Sequence, residues 1–321
     1  MDINQISIVV PVFNEAENLP LLNEAIHQAL SPMGIAWEVI FVDDGSIDES
    51  LSILEKLVTD DPQHLRAISF RRNFGQTAAI VAGIDHSQGD VILFMDADLQ
   101  NDPADIPMLL EKIDQGYDVV SGWRVNRQDA FFTRTLPSRI ANWLISTVTG
   151  VRLHDYGCTL KAYRKEVLSN INLYGEMHRF IPAYAYSVGA NIAEVPVRHH
   201  PRRFGKAKYG LGRTLKVVLD LFTVKFLMSY ANKPIYLFGG AGIGFITVSV
   251  ITLIILVIRR ILFNEHLIRS PLLQLTTMLF IIGVLSILLG FVAELLTRTY
   301  HESQHKPIYT IRKEINGRKP E

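Results

Sequence analysis

Cysteine is almost absent. A single residue, Cys158, in 321 excludes an intrachain disulfide and with it the disulfide-stapled secreted scaffolds. A structural zinc site lacks ligands too, because His199-His200 has no partners at metal spacing. Net charge of either sign is also missing: 32 Lys and Arg balance 32 Asp and Glu, so no overall basic field points to nucleic acid. The opening residues, Met1-Asp2-Ile3-Asn4-Gln5, have neither the basic n-region nor the cleavage site of a secretory signal, and the N-terminal part is expected to stay in the cytoplasm. Internal repeats and low-complexity tracts are lacking.

What is present is an uneven distribution. The chain is long enough for one sizeable α/β domain plus something smaller. Its apolar excess sits in the last third, acidic residues concentrate early, and basic residues concentrate from about Arg198 onward. In the first half, apolar β-branched runs at residues 6–13, 38–42, 65–70, 91–95 and 118–120 predict buried strands. Residues 16–30, 48–58, 76–86 and 103–115 carry apolar positions at helical spacing between them. This alternation implies an α/β fold with a parallel sheet covered on both faces. A further helix is expected over 133–149. Beyond Leu153 the pattern is irregular until a late strand at 191–197, and the charged, glycine-containing stretch 198–209 reads as a loop.

The remainder predicts a membrane anchor. Over 211–230, Leu211, Leu215, Val218, Leu219, Phe222 and Phe226 share one helical face, while Arg213, Lys216, Asp220 and Thr223 share another. This is the pattern of an interfacial amphipathic helix, with a soluble-core helix as the alternative. Residues 235–258 and 272–296 hold no Lys, Arg or Asp, and Glu294 alone of the acidic residues. At about 1.5 Å per residue each is long enough for a ~30 Å hydrocarbon core. The short connection makes them a hairpin with both ends on one side. Basic residues load the connection (Arg259, Arg260, Arg269), but those flanking the hairpin outnumber them, which favours both ends inside. The expected division is 1–210 α/β domain, 211–232 juxtamembrane helix, 233–300 transmembrane hairpin and 301–321 cytoplasmic tail.

Three acidic motifs each follow a predicted strand: Pro11-Val12-Phe13-Asn14-Glu15, Asp43-Asp44-Gly45-Ser46, and Asp96-Ala97-Asp98-Leu99-Gln100. Ligands of open α/β sheets bind beyond the carboxyl ends of the strands, the edge that all three would line. Singly, each has a plainer explanation, since Asp-Gly-Ser is a common turn and Asn14 or Asp48 could cap a helix. Together they suggest a site. Asp96 and Asp98 can reach one divalent cation, with Gln100 adding an amide oxygen. Such oxygen ligation suits Mg²⁺ or Mn²⁺ holding a diphosphate.

With these motifs the chain resembles the inverting family 2 glycosyltransferases of GT-A fold. The likeness rests on residues 7–19 (SIVVPVFNEAENL), 42–46 (VDDGS) and 96–103 (DADLQNDP). Within that family it is most similar to the polyprenyl-phosphate branch, which includes dolichol-phosphate mannose synthases and bactoprenol glucosyltransferases. The resemblance covers about residues 5–230, and the two-helix hairpin matches the bactoprenol arrangement. It implies nucleotide binding by Pro11, Asn14, Glu15, Asp43, Asp44 and Asp96, and metal binding by Asp96, Asp98 and Gln100. It implies lipid-phosphate contacts for Arg124, Arg134 and Ser138, and a mobile basic loop holding Arg202, Arg203, Lys206 and Lys208. Binding of anionic headgroups by those basic residues is a compatible alternative. Asp155 falls where related transferases place a catalytic base. A phosphate monoester has a second pKa near ~6 and is already largely an oxyanion at neutral pH, so positioning of the acceptor or of nearby Arg and Lys is the expected role.

The implied reaction moves a hexose from a nucleotide sugar to polyprenyl (undecaprenyl) phosphate at the cytoplasmic face of the inner membrane. UDP-glucose leads as donor on the hairpin likeness, with UDP-linked amino sugars and GDP-mannose open. A homo-oligomer is plausible for such an anchor. A processive synthase is a rival, but its Gln-x-x-Arg-Trp segment is absent and two spans are too few for a channel. A transferase with a soluble acceptor would leave the hairpin unexplained. A catalytically dead membrane scaffold would have no need of the retained carboxylates.

Overall fold

The computed structural model describes residues 3–125, 142, 145–147, 149–169, 171, 173, 177–202, 204, 235–263, 271–303 and 309–316. Its first compact unit joins Met1–Val224 to Pro307–Glu321, and its second is Lys225–Lys306.

The first unit is built on one sheet. Its strands are β1 (Gln5–Val12), β2 (Ala36–Asp43), β3 (Leu65–Phe70), β4 (Val91–Phe94), β5 (Val119–Arg124), β6 (Lys161–Arg164), β7 (Ile192–Val197) and β8 (Ile311–Ile315). They lie in the order β7-β5-β6-β4-β1-β2-β3-β8. All are parallel to β1 except β6 and β8, which run antiparallel to their neighbours. Ile6, Ile8, Val10 and Val12 of β1 pack into the main core, while Val9 on the opposite face is equally buried. Covering on both sides is why the central strands read as unbroken apolar runs.

Helices α1 (Leu19–Leu30), α2 (Ser50–Asp60), α3 (Gln76–His86) and α4 (Ile106–Asp114) form the crossovers. Pro20 and Pro107 lie in the first turns of α1 and α4, where a missing N–H costs nothing. Leu19, Leu22, Ile26 and Leu30 make the buried stripe of α1. On α3 the buried residues are small apart from Ile80, and a Cβ on Gly83 would lie 2.1 Å from Val9 Cγ1, so at Gly83 this helix approaches β1 with backbone rather than side chain. Two short helices, α5 (Lys165–Leu168) and α6 (Ile181–Ser187), belong to the same unit.

Six of the eight strands coincide with apolar runs in the sequence. The other two are short and reversed. β6 is four residues ending in arginine, and β8, Ile-Arg-Lys-Glu-Ile, is an exposed edge with three charged residues in five. The tail expected at 301–321 is therefore partly sheet. Tyr309 stacks on Phe70 at 5.2 Å and donates to Asp85 (2.8 Å), and the Asn316 amide donates to the carbonyls of Pro62 and Leu65. The amphipathic stretch 211–230 lies outside the described residues. Of 133–149, residues 142, 145–147 and 149 are helical.

Among the described residues the second unit is two helices, α7 (Ile235–Phe263) and α8 (Pro271–Ser303). They approach closely at Gly242 and Gly283, where a Cβ on either would stand within 3 Å of the other's carbonyl oxygen. Ser249 donates to the Thr276 carbonyl across the pair (2.8 Å). Leu237–Leu262 and Pro271–Ala293 are long and apolar enough to cross a membrane. Large apolar side chains on both stand open, including Ile261, Leu285 and Phe291.

At the amino end of the sheet, opposite the motifs, Glu38 is buried and accepts from Ser7 Oγ (2.7 Å), Gln88 N (2.8 Å) and Arg66 Nη1 (3.0 Å). Removing one member of a buried ion pair strands the other. Glu38→Ala is therefore expected to cost about 3–5 kcal/mol in chemical unfolding of the purified protein. A loss below ~1 kcal/mol would show that this network is not structural.

Candidate active site

The carboxyl ends of β1, β2 and β4 open into a cleft of about 360 Å³, lined by Pro11, Glu15, Asp44, Asn73, Gln76, Asp96, Asp98 and Arg202 among others. That is the size of a small-ligand site. Each carboxylate reaches it by a different route.

The β2–α2 turn divides the Asp-Asp pair between two tasks. Asp43 is 1% exposed, and its oxygens accept from Ser46 N (3.0 Å) and Ser69 Oγ (2.8 Å). Gly45 has φ +70°, and a Cβ there would lie 2.6 Å from the backbone of Arg72, so the turn requires glycine. Asn14, at φ 52°, stitches β1 to the same turn: its amide donates to Ser46 Oγ and its side chain accepts from Ile47 N, both at 2.9 Å. Asp44 faces the cleft and accepts from Phe74 N (2.6 Å) and Gly75 N (2.9 Å). Burial, aided by the charge of Asp43, pushes its pKa up to about 6 against those two amides.

Beyond β4, Asp96 and Asp98 are held by unlike partners. Asp96 accepts from two neutral donors, Gln76 Nε2 (2.8 Å) and Thr159 Oγ1. Asp98 accepts from Gln100 N (3.1 Å) and from the guanidinium of Arg202 (2.6 Å). Burial first, and then the charge of Asp96, raises Asp98 to about 6 although Arg202 opposes the shift. Arg202 Nη1 is also buried, 3.8 Å from Glu15, with no hydrogen-bond partner among the described residues.

Arg202 arrives on a strap that extends β7. Alternate residues face the acidic loop: Arg198 binds Asp105 (2.8 Å) and Asp102 (3.0 Å), His200 binds Asp102 (3.2 Å), and Arg202 binds Asp98. Backbone pairing of Asn101 with His199, and of His200 N with the Gln100 carbonyl (2.9 Å), holds the two segments together. Gln100 turns its own amide toward the His200 carbonyl, at 3.5 Å, and is not among the cleft-lining residues.

On the β5 side, Arg124 and Asp155 form a buried two-point pair, Nε to Oδ2 at 2.6 Å and Nη2 to Oδ1 at 2.9 Å. Burial works against the Arg124 charge, but hydrogen bonding to Asp155 and its charge outweigh this and raise the arginine pKa. Below the loop, Lys161 is buried and donates to the carbonyls of Tyr156 and Cys158. Burial lowers its pKa and pushes the Cys158 thiol up to about 11.

Of the residues singled out in the sequence, the cleft gathers Pro11, Glu15, Asp44, Asp96, Asp98 and Arg202. Asn14 and Asp43 instead build the turn beside it. Arg134, Ser138, Arg203, Lys206 and Lys208 lie outside the described residues. Gln76, Thr159, and the anchors Asp102, Asp105 and Arg198 were not anticipated. Only the last group left a trace in the sequence, the facing of an acidic loop by a basic one.

A family model described as glycosyl transferase family 2 matches residues 7–171. The dodecaprenyl-phosphate galacturonate synthase of Rhizobium johnstonii is 42% identical, over 96% of this chain and 92% of its own length. The undecaprenyl-phosphate 4-deoxy-4-formamido-L-arabinose transferase of Enterobacter sp. is 38% identical, over 98% and 94%. Among solved structures, glucosyl-3-phosphoglycerate synthase from Mycobacterium tuberculosis, crystallised with Mn²⁺, UDP and phosphoglyceric acid, superposes with a TM-score of 0.53 at 18% identity, covering 69% of this chain and 78% of that one. That likeness carries the GT-A fold.

The raised values of Asp44 and Asp98 have a sign. Native carboxyls that bind protons more tightly than unfolded ones contribute stability in full below the unfolded pKa, near 3.8, and lose it as pH rises through about 6. Asp98→Asn is expected to stabilise the protein by about 1–2 kcal/mol at pH 8 and by little at pH 4.5, read by unfolding in chelator. An equal change at both pH values would refute the assignment.

Proposed function

Because this chain belongs to glycosyl transferase family 2, we propose that its cleft binds a nucleoside-diphosphate sugar and passes the sugar to a polyprenyl phosphate at a membrane surface. The observation that carries this reading is the meeting of Asp44, Asp96 and Asp98 at one sheet edge in a chain that also bears two apolar helices. Support for the acceptor comes from relatives that align over nearly the whole chain and are named for polyprenyl-phosphate substrates.

Asp96 and Asp98 offer the hard oxygen donors that Mg²⁺ or Mn²⁺ prefers. Among the described residues no three or more His, Cys, Asp or Glu side chains converge as a metal cage. A cation held by one or two carboxylates and completed by substrate phosphates fits that donor set. Arg202 on Asp98 keeps a positive charge in the same place. Bound there, the metal would supply Lewis-acid stabilisation of the departing diphosphate.

Asp44 is aimed to accept from the nucleoside, and Pro11 and Glu15 shape the wall beside it. On the acceptor side, a lipid phosphate oxygen attacks the anomeric carbon opposite the leaving group. The bond to the nucleoside diphosphate breaks with its electron pair, and the configuration inverts. The phosphate is largely ionised at neutral pH, so no base is required. Asp155, occupied at two points by Arg124, orients that guanidinium toward the phosphate instead. Arg202 and the basic residues after it supply further phosphate contacts, and Arg134, Ser138 and Lys208 belong to the same proposal.

For the donor, UDP-glucose draws no support from the relatives, whose sugars are galacturonate and 4-deoxy-4-formamido-L-arabinose. We place a nucleotide-linked uronic acid or amino-modified pentose ahead of glucose. The decisive assay supplies polyprenyl phosphate and Mn²⁺ with each of these donors in turn. Release of nucleoside diphosphate is expected with one of them, and Asp98→Ala should lower it about 100-fold or more. Wild-type inactivity across the panel would remove the enzyme reading.

The proposed site is the cytoplasmic face of the cell membrane, with the helices as a two-span hairpin. The pairing of β8 with β3, on either side of both helices in sequence, supports an even number of crossings. In a Cys158→Ala background, Asn264→Cys should react with an impermeant maleimide from outside intact cells. Lys319→Cys should react only after lysis. Labelling of both from outside would refute the topology.

A further inference from the structure

The five residues from Asp155 to Thr159 bridge two parts of the site that the strand order sets side by side. They lead into β6, whose first residue pairs with Phe94 at the end of β4 and with Ser121 of β5. At one end of the bridge Asp155 clamps Arg124, and at the other Thr159 donates its hydroxyl to Asp96 Oδ2. Between them the buried Lys161 ammonium holds the carbonyls of Tyr156 and Cys158, so the bridge is pinned from below.

Asp96 is thereby fixed through both oxygens, by Gln76 on Oδ1 and Thr159 on Oδ2. Both donors are uncharged. They set the carboxylate's rotamer without cancelling its charge, and each oxygen keeps acceptor capacity for a ligand. The contrast with Asp98 is informative, because that carboxylate is met by a guanidinium. Thr159 is not among the residues lining the cleft, and its described contact with the site is the bond to Asp96.

We propose that Thr159 is a positioning residue of the donor site: its hydroxyl orients Asp96 toward the nucleoside diphosphate and ties that carboxylate to the bridge that carries Asp155. This deepens the reading of the cleft as a donor site and rests on it. The hydroxyl, not the shape, carries the role. Valine keeps the branched outline and removes the donor, while serine keeps the donor and removes a methyl group.

The test measures binding of UDP and of GDP, each with Mn²⁺, by calorimetry on the detergent-solubilised full chain. Thr159→Val is expected to weaken the preferred nucleotide about tenfold, the scale of a hydrogen bond to a charged group, with its melting temperature unchanged. Thr159→Ser should stay within about threefold of wild type. In an Asp96→Asn background, Thr159→Val should add nothing, because the two side chains act as one unit. Equal binding by wild type and Thr159→Val, or full additivity with Asp96→Asn, would overturn the positioning role while leaving the donor site standing. A wild-type protein that binds neither nucleotide would overturn both.

Discussion

Four carboxylates, those of Glu15, Asp44, Asp96 and Asp98, crowd one edge of a parallel sheet, and taking so many acidic groups out of water together is the constraint that the surrounding structure answers. Each answer is different. Backbone amides of Phe74 and Gly75 face Asp44, neutral side chains grip Asp96, and a guanidinium lies on Asp98. None of them outweighs burial, which, aided by Asp43 at Asp44 and by Asp96 at Asp98, holds both carboxyls up at about 6. A cleft left short of positive charge is suited to a ligand that arrives with a cation.

The same edge explains the spatial economy of the fold. Because β6 runs against its neighbours, its entry loop lies beside the exits of β4 and β5, and one short bridge serves both the Arg124–Asp155 pair and Asp96. The extension of β7 does the reverse job for Asp98. Its alternate basic residues meet Asp105, Asp102 and Asp98 in turn, so Arg202 is delivered by a strap with two earlier anchor points. At the far edge β8 returns the chain to the sheet after the two apolar helices. The sheet itself then binds together the segments that flank the hairpin.

Much of this was open to reading in the residues alone. Runs such as Ile8-Val9-Val10 and Val39-Ile40-Phe41 can be buried on both faces only in a covered parallel sheet, and the acidic motifs after them mark its carboxyl edge. The helical hairpin was equally plain, because an uncharged stretch of more than twenty residues has few other uses. Lys161–Arg164 and Ile311–Ile315 escaped because short strands with charged residues carry no run and little alternation. The separate tasks of Asp43 and Asp44 escaped as well. Adjacent aspartates look alike in sequence, and only the direction of the chain at the β2 exit turns one inward to Ser46 and Ser69 and the other to the cleft.

Local pattern was thus sufficient for what depends on local physics: strand and helix period, the turn that demands Gly45, the length of the apolar helices, and the kind of oxygen ligand on offer. It could not say which groups meet. Gln76 and Asp96 are 20 residues apart, Thr159 and Asp96 63, and Arg202 and Asp98 104. Such contacts are set by strand order and by the reversal of β6. Both follow from burying all the apolar surfaces at once, a condition on the whole chain that no single segment records.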